Sequence, residues 1–129
     1  MKQFAYALLT GLTLAFAGCK KDDDDNTPSG PREREVEYRV TSPNTGVTAD
    51  ITYTNETGAF TTEDPATLPK TYKFKRTLKS GDGISCSVTL NSSASNNEAT
   101  VTILLDGQQV ATQTGRGGVA YVSLVHVIR

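Results

Sequence analysis

Residues 32–129 predict an all-β domain of antiparallel strands packed as two sheets, and three observations carry that expectation. Apolar residues alternate with polar ones over short runs, as in Val36, Tyr38 and Val40 and again in Ile84, Cys86, Val88 and Leu90, the period-2 pattern of half-buried strands. Turn residues separate these runs at short intervals, among them Ser42-Pro43-Asn44-Thr45-Gly46, Ser80-Gly81-Asp82-Gly83 and Asp106-Gly107,. No stretch carries a convincing amphipathic helical period. Roughly a hundred residues suit one domain with a modest core.

Ahead of the domain, Met1-Lys2-Gln3 bears one positive charge and an apolar run follows from Phe4 to Phe16, the layout of a signal peptide. A bilayer-spanning helix needs ~20 apolar residues, so this run is too short. It ends in Leu14-Ala15-Phe16-Ala17-Gly18-Cys19, which resembles the lipobox of bacterial lipoproteins, with Phe16 where Leu is usual. The resemblance implies that residues 1–18 are removed, that the Cys19 sulfur receives a diacylglyceryl group, and that the new amino terminus is acylated. One acyl chain holds a protein only reversibly, whereas two or three make a durable anchor. An ordinary secretory signal followed by a chance Cys is the plainer alternative. The charged run beginning directly after Cys19 favours the lipobox.

That run is Lys20, Lys21, Asp22, Asp23, Asp24 and Asp25. Consecutive like charges repel and stay solvated, and a calcium site needs about 6–8 oxygen ligands arranged around a sharp bend, which a straight acidic run does not supply. The order of Cys, Lys and acidic residues resembles the export signal that places lipoproteins of Bacteroidota on the outer face of the outer membrane. It implies an address at the cell surface. Asn26-Thr27-Pro28-Ser29-Gly30-Pro31 then reads as a Pro/Gly/Ser linker,. Residues 19–31 are therefore expected to be a lipidated, acidic tether that keeps the domain near the membrane.

Within the domain, Val36, Tyr38 and Val40 share one face of a first strand and Glu35, Glu37 and Arg39 the other. Ala49, Ile51 and Tyr53 mark a second strand, and Asn55-Glu56-Thr57-Gly58 turns the chain into Ala59 to Thr62,. Glu63 to Pro69 contains Pro65 and Pro69, which cannot donate ladder hydrogen bonds, and is expected to cross between the sheets. In Lys70 to Lys79, Tyr72, Phe74, Arg76 and Leu78 share one face, while Lys73, Lys75 and Lys79 share the other. Such a lysine row commonly deters edge-to-edge pairing of sheets. It is also a candidate contact for an acidic partner or a phosphorylated lipid headgroup.

Asn91 to Asn97 is expected to be a mobile polar loop, with a glycan-contacting edge as the alternative. Ala99, Val101, Ile103 and Leu105 form the next buried face, and Asp106-Gly107 leads through a tight hairpin into Gln108 to Thr114,. Gly115-Arg116-Gly117-Gly118 reads as a flexible turn. Val119 to Ile128 is apolar on both faces, as in a strand at the centre of a sheet or between sheets, with Tyr121, like Tyr53 and Tyr72, turned inward.

The sum is an immunoglobulin-like β-sandwich of about seven strands. Three groups of residues carry a family resemblance: Val36-Glu37-Tyr38-Arg39-Val40; Ala49-Asp50-Ile51-Thr52-Tyr53-Thr54-Asn55-Glu56-Thr57-Gly58; and, after Leu68-Pro69, Val101-Thr102-Ile103-Leu104-Leu105-Asp106-Gly107-Gln108-Gln109-Val110. In this order they resemble the soluble domain of MmpS, a family of mycobacterial membrane proteins that assist RND-type exporters of lipids and siderophores. The resemblance implies the sandwich and an accessory role in envelope transport. The chain differs in carrying a lipobox where that family has a transmembrane helix, and in lacking a cysteine pair in its last strands.

Chemistry is scarce. The domain holds ten Lys and Arg against ten Asp and Glu, and neither that balance nor the aromatic spacing suits nucleic acid. Cys86 stands alone once Cys19 is lipidated, and it reads as a small core residue. His126 is the only imidazole, too distant in sequence for spacing to place it as a base for Cys86 and without the second ligand a zinc site requires. No carboxylate pair, nucleophile with base, or cofactor motif can be assembled by spacing. The expectation is a non-enzymatic interaction or accessory module without a cofactor, anchored in the membrane and contacting an envelope protein. A glycan- or lipid-binding module is the alternative.

Overall fold

A computed structural model describes residues 30–129; Cys19 and the Lys20–Asp25 run lie outside them. In chain order the strands are β1 (Arg32–Thr41), β2 (Thr48–Thr54), β3 (Phe60–Thr67), β4 (Lys70–Leu78), β5 (Gly83–Asn91), β6 (Asn97–Leu105), β7 (Gln108–Gly117) and β8 (Tyr121–Val127). They form two antiparallel four-stranded sheets, β4-β1-β6-β7 and β3-β2-β5-β8. The all-β sandwich expected from the alternation is the observed architecture.

The core lies between the sheets. β1 and β6 contribute Val36, Tyr38, Val40, Ala99, Val101, Ile103 and Leu105, and β2, β5 and β8 face them with Ala49, Ile51, Ile84, Cys86, Val88, Val122 and Leu124. Removing this apolar surface from water stabilises the pair of sheets by ~25 cal/mol per Å². One polar bridge crosses the layer. The Tyr38 hydroxyl, on β1, bonds the carbonyl and hydroxyl oxygens of Thr54 at 3.1 and 2.7 Å, and the same Thr54 hydroxyl accepts the Ser85 N–H at 3.0 Å. Burial pushes the Tyr38 phenol up to about 12, so it stays a neutral donor.

Leu104 is buried but belongs to the opposite face. The register shifts between Ile103 and Leu104, and Leu104 stands across from Glu37, outside the core. Glu37 is itself buried and accepts Arg39 Nε at 2.5 Å. The hairpin that follows is the tight turn the sequence announces, with Asp106 at φ 50° and Gly107 at φ 79°, as a type I′ turn requires. Asp106 also ties this turn to β1, accepting the Glu35 N–H at 2.9 Å and pairing with Arg34.

Three expectations are corrected. Glu63 to Pro69 does not cross between sheets along its length. β3 runs through Pro65 to Thr67 and only Leu68 and Pro69 make the crossing. Proline is tolerated there because β3 is an edge strand, where its missing N–H need face no neighbour. The register between β2 and β3 also shifts between Ala49 and Ile51.

Gly115 to Gly118 is not a free turn, since Gly115, Arg116 and Gly117 continue β7. A Cβ at Gly115 would sit 2.4 Å from the Tyr121 carbonyl oxygen and 2.8 Å from Val122 Cγ2. Only glycine lets β7 come this close to β8. Lastly, β8 is not central: it pairs with β5 alone and closes one side of its sheet.

Both ends of the sandwich are defined by the registers. Arg32 stands opposite Leu78 and Gly83 opposite Val127, so the start of β1, the β4–β5 turn and the end of β8 share one end. Gly81 N–H bonds the Ile128 carbonyl and Ile128 N–H bonds the Asp82 carbonyl, both at 2.9 Å. At the other end, Asn97 is buried and its amide donates to the carbonyls of Ser92, Ala94 and Gly118 at 3.3, 2.9 and 3.0 Å. The Asn91–Asn97 segment is therefore pinned at its end by a buried side chain. Its amide also links that loop to the β7–β8 connection.

Candidate functional site

Each sheet has two edges, and the candidate surfaces lie along them. The lysine row occupies the outer face of β4, which is the edge strand beside β1. Lys73 Nζ lies 3.0 Å from Glu35 and Lys75 Nζ lies 3.1 Å from Glu33. Each lysine reaches diagonally, since Lys73 stands opposite Glu37 and Lys75 opposite Glu35. The row therefore meets a carboxylate row on β1, and two of its three cations are already paired. Lys79 lies past the end of β4; its N–H, not its ammonium, bonds Asp82 at 3.0 Å.

Between the β3 and β4 edges the sandwich is closed by aromatic residues. Tyr53 and Tyr72 stack with ring centroids 4.2 Å apart, and Tyr53 and Phe74 flank Tyr38 at 5.7 and 5.9 Å. Glu63 accepts the Tyr72 hydroxyl at 2.6 Å and the Lys70 ammonium at 2.9 Å, and Lys70 also sits 5.5 Å from the Tyr72 ring centroid. The Tyr72 hydrogen bond, followed by Lys70, holds the Glu63 carboxyl below its usual range. Burial and then Glu63 push the Tyr72 phenol upward. Faces and polar groups here are engaged with one another, so this seam is a closure of the core.

β8 is the contrasting edge. Val122 and Leu124 point into the core, while Tyr121, Val125 and Val127 point outward with 59%, 61% and 50% exposure, and Val119 just before them has 70%. Tyr121 is thus not turned inward as the alternation on both faces suggests. Ladder direction settles which backbone groups are free. The Ala120 carbonyl accepts from Leu90, and Ile128 bonds the β4–β5 turn, so the even-numbered residues of β8 face β5. In an antiparallel ladder the alternate residues face away, and here these are Tyr121, Ser123, Val125 and Val127. They carry the outward side chains as well. No residue of Tyr121–Val127 is an acid, Lys or Arg.

β8 is the surface that sequence reasoning misplaces. Apolar residues on both of its faces fit a central strand, and the only contrary signal is Ser123 in the middle of the outward face. The rest of that sheet's outer surface is hydroxyl-rich: Thr52 bonds Thr62 at 2.8 Å and Ser87 bonds Ser123 at 3.1 Å.

Cys86 is buried, and burial pushes its thiol up to about 12, so it is no thiolate at neutral pH. His126 stands opposite Ile84, whereas Cys86 stands opposite Leu124, and no hydrogen bond among the described residues joins the two. Asp50 lies within β2 and accepts the Asn91 amide at 2.5 Å. That amide holds the Asp50 carboxyl low, and hydrogen bonding to Asp50 and its charge hold Asp64 high. Sequence spacing gave no sign of this acid pair, which the β2–β3 register brings together at the surface. Among the described residues no three His, Cys, Asp or Glu side chains gather as metal ligands.

No protein-family model matches the chain, and no curated protein matches it in sequence.

Proposed function

We propose that the chain is a lipid-anchored lipoprotein of the bacterial cell envelope whose sandwich is a non-enzymatic interaction module. Cys19 carries the anchor, Lys20 to Asp25 direct it to the outer face of the outer membrane, and the domain serves an envelope assembly. One observation supports the interaction role above others: β8 combines outward Tyr121, Val125 and Val127 with a free edge that no described strand pairs and with no acid, Lys or Arg. A long apolar edge is a template for another strand, and adding a strand to such an edge is a common recognition mode. The likeness of the three residue groups to MmpS suggests a transport assembly as the partner.

The test has two parts. Cys19→Ala is expected to release the domain from membranes, and continued attachment would sink the lipoprotein reading. Crosslinking from Val125 or Val127 in the native envelope is expected to capture a protein, whereas crosslinking from Lys73 or Lys75 is expected to capture far less. A second reading, ligand binding at the surface, is favoured by Tyr121, whose exposed ring beside a hydroxyl-rich face suits stacking on a sugar. Direct glycan or lipid binding lost in Tyr121→Ala would favour it.

A further inference from the structure

We propose that the occupant of the β8 edge is a second copy of this chain, joined strand to strand about a two-fold axis at Val125. The inference rests on the reading of the sandwich as an interaction module and names its partner. Its first support is register. β7 lies over the Tyr121 carbonyl at Gly115, so that end of the edge is closed and the open groups begin at Ser123. The remaining free residues, Ser123, Val125 and Val127, are symmetric about Val125. Antiparallel pairing therefore sets Val125 against Val125 of the second copy and Ser123 against Val127, with every free N–H and C=O of these three residues bonded across the junction. Outward side chains fall on one face, so exposed valines of both copies meet.

Charge supplies the second support. Two-fold pairing brings each strand against itself, which penalises any edge carrying like charges. β4 bears Lys70, Lys73, Lys75 and Arg76, and β3 bears Glu63 and Asp64 with Pro65 lacking a donor. β7 bears Arg116 and has no large exposed hydrophobic residue. Only β8 is free of acids, Lys and Arg and also apolar outward, in a chain that is 21% charged. The joined sheet would run β3-β2-β5-β8 and on through the second copy in reverse order. It would also cover the backbone edge that β8 otherwise leaves open.

Anchoring acts in the same direction. Copies held in one membrane meet at a higher effective concentration than in solution, so a modest strand junction suffices. Antiparallel pairing places the two Arg32 residues, on β1 of the other sheet, at opposite ends of the paired domains. Residues 20–31 reach at most ~40 Å when extended, enough for both anchors to enter one membrane with the strands lying along it.

Cysteine crosslinking of the acylated full chain tests the register, because the lipid occupies the Cys19 sulfur and Cys86 is buried. Under mild oxidation Val125→Cys is expected to give a covalent dimer. Ser123→Cys alone and Lys73→Cys are expected to give at least tenfold less, and an equal mixture of Ser123→Cys and Val127→Cys is expected to restore the dimer. Val125→Lys should remove association while leaving the melting temperature within a few degrees. Equal dimer from Lys73→Cys and Val125→Cys, or association unchanged by Val125→Lys, would overturn the pairing. If Val125 instead crosslinks only to a different envelope protein, self-pairing is wrong and the interaction module stands. If β8 crosslinks to nothing in the native envelope, both readings fall.

Discussion

β4 and β8 are edge strands of similar length in the two sheets, and they differ almost only in what they turn outward. Inward, β4 presents Tyr72, Phe74 and Leu78 and β8 presents Val122 and Leu124, the same apolar half of a period-2 strand. Outward, β4 presents Lys73 and Lys75, each ion-paired diagonally to β1, whereas β8 presents Tyr121, Ser123, Val125 and Val127. The two strands share an inward apolar face that serves the core, and the difference lies wholly on the outward face that a neighbour would meet. A lysine row at an edge deters strand addition; a valine row at an edge leaves it open.

The largest effect should come from the corner where β7 meets β8. Gly115→Val forces a side chain into the Tyr121 carbonyl, and overpacking of this kind costs ~1–3 kcal/mol. Thermal unfolding should report a melting temperature lower by roughly 10 °C, and Tyr121 should become more accessible to oxidative labelling. A melting temperature equal to the parent's would mean that the corner is loose and that β8 is open along its full length. Asn97→Ala removes the amide that holds Ser92, Ala94 and Gly118, leaving carbonyls without a donor at about 1 kcal/mol or more. Chemical denaturation should show a lower midpoint with unchanged slope.

Next in size is the exchange of edge character. Lys73→Val with Lys75→Val should change unfolding free energy by less than ~1 kcal/mol, as expected for exposed ion pairs, yet make the β4 edge associate. Sedimentation should then show larger species that the additional change Val125→Lys does not abolish. A monodisperse double variant would show that β4 is protected by shape and not by charge.

The smallest effect concerns Asp106. The Glu35 N–H and, less strongly, Arg34 hold its carboxyl below the usual range. A lowered folded-state value means a contribution present above the unfolded value near 4 and lost as pH falls through the folded one. Asp106→Asn keeps the turn, because Asn tolerates the same positive φ, and removes that contribution. The two proteins should differ slightly in melting temperature at neutral pH and converge in acid, once pH has fallen through the lowered folded-state value. Curves that stay parallel through that fall would show that Arg34 and Asp106 add nothing.

Much of this fold is legible in the sequence because period 2 is a local property. Val36, Tyr38 and Val40, or Ile84, Cys86, Val88 and Leu90, reveal which side is buried without reference to any other strand. Asp106-Gly107 reveals its hairpin for the same reason. Neighbour order is not local. Pro65 sits inside a strand because β3 has only one neighbour, and the outward-facing Val125 lies at an open edge because β8 has only one, and both facts are decided by where β2 and β5 lie. Asn97 is opaque for a related reason, since its three carbonyl partners come from two segments that meet only in the fold. The Lys73 and Lys75 row is visible as a pattern, but its pairing depends on the β1–β4 register. The acid pair of Asp50 and Asp64 depends likewise on the shifted β2–β3 register.

β1 has a mechanical consequence. It begins at Arg32, directly after the residues that would join the domain to an anchor, and it is flanked on both sides by β4 and β6. Ladder hydrogen bonds run perpendicular to antiparallel strands, so a pull transmitted through the preceding residues along β1 shears both ladders together. Force applied to an edge such as β8 from the side opens one ladder bond by bond. A domain pulled through the residues before Arg32 would hold along β1 and yield first at the β8 edge,.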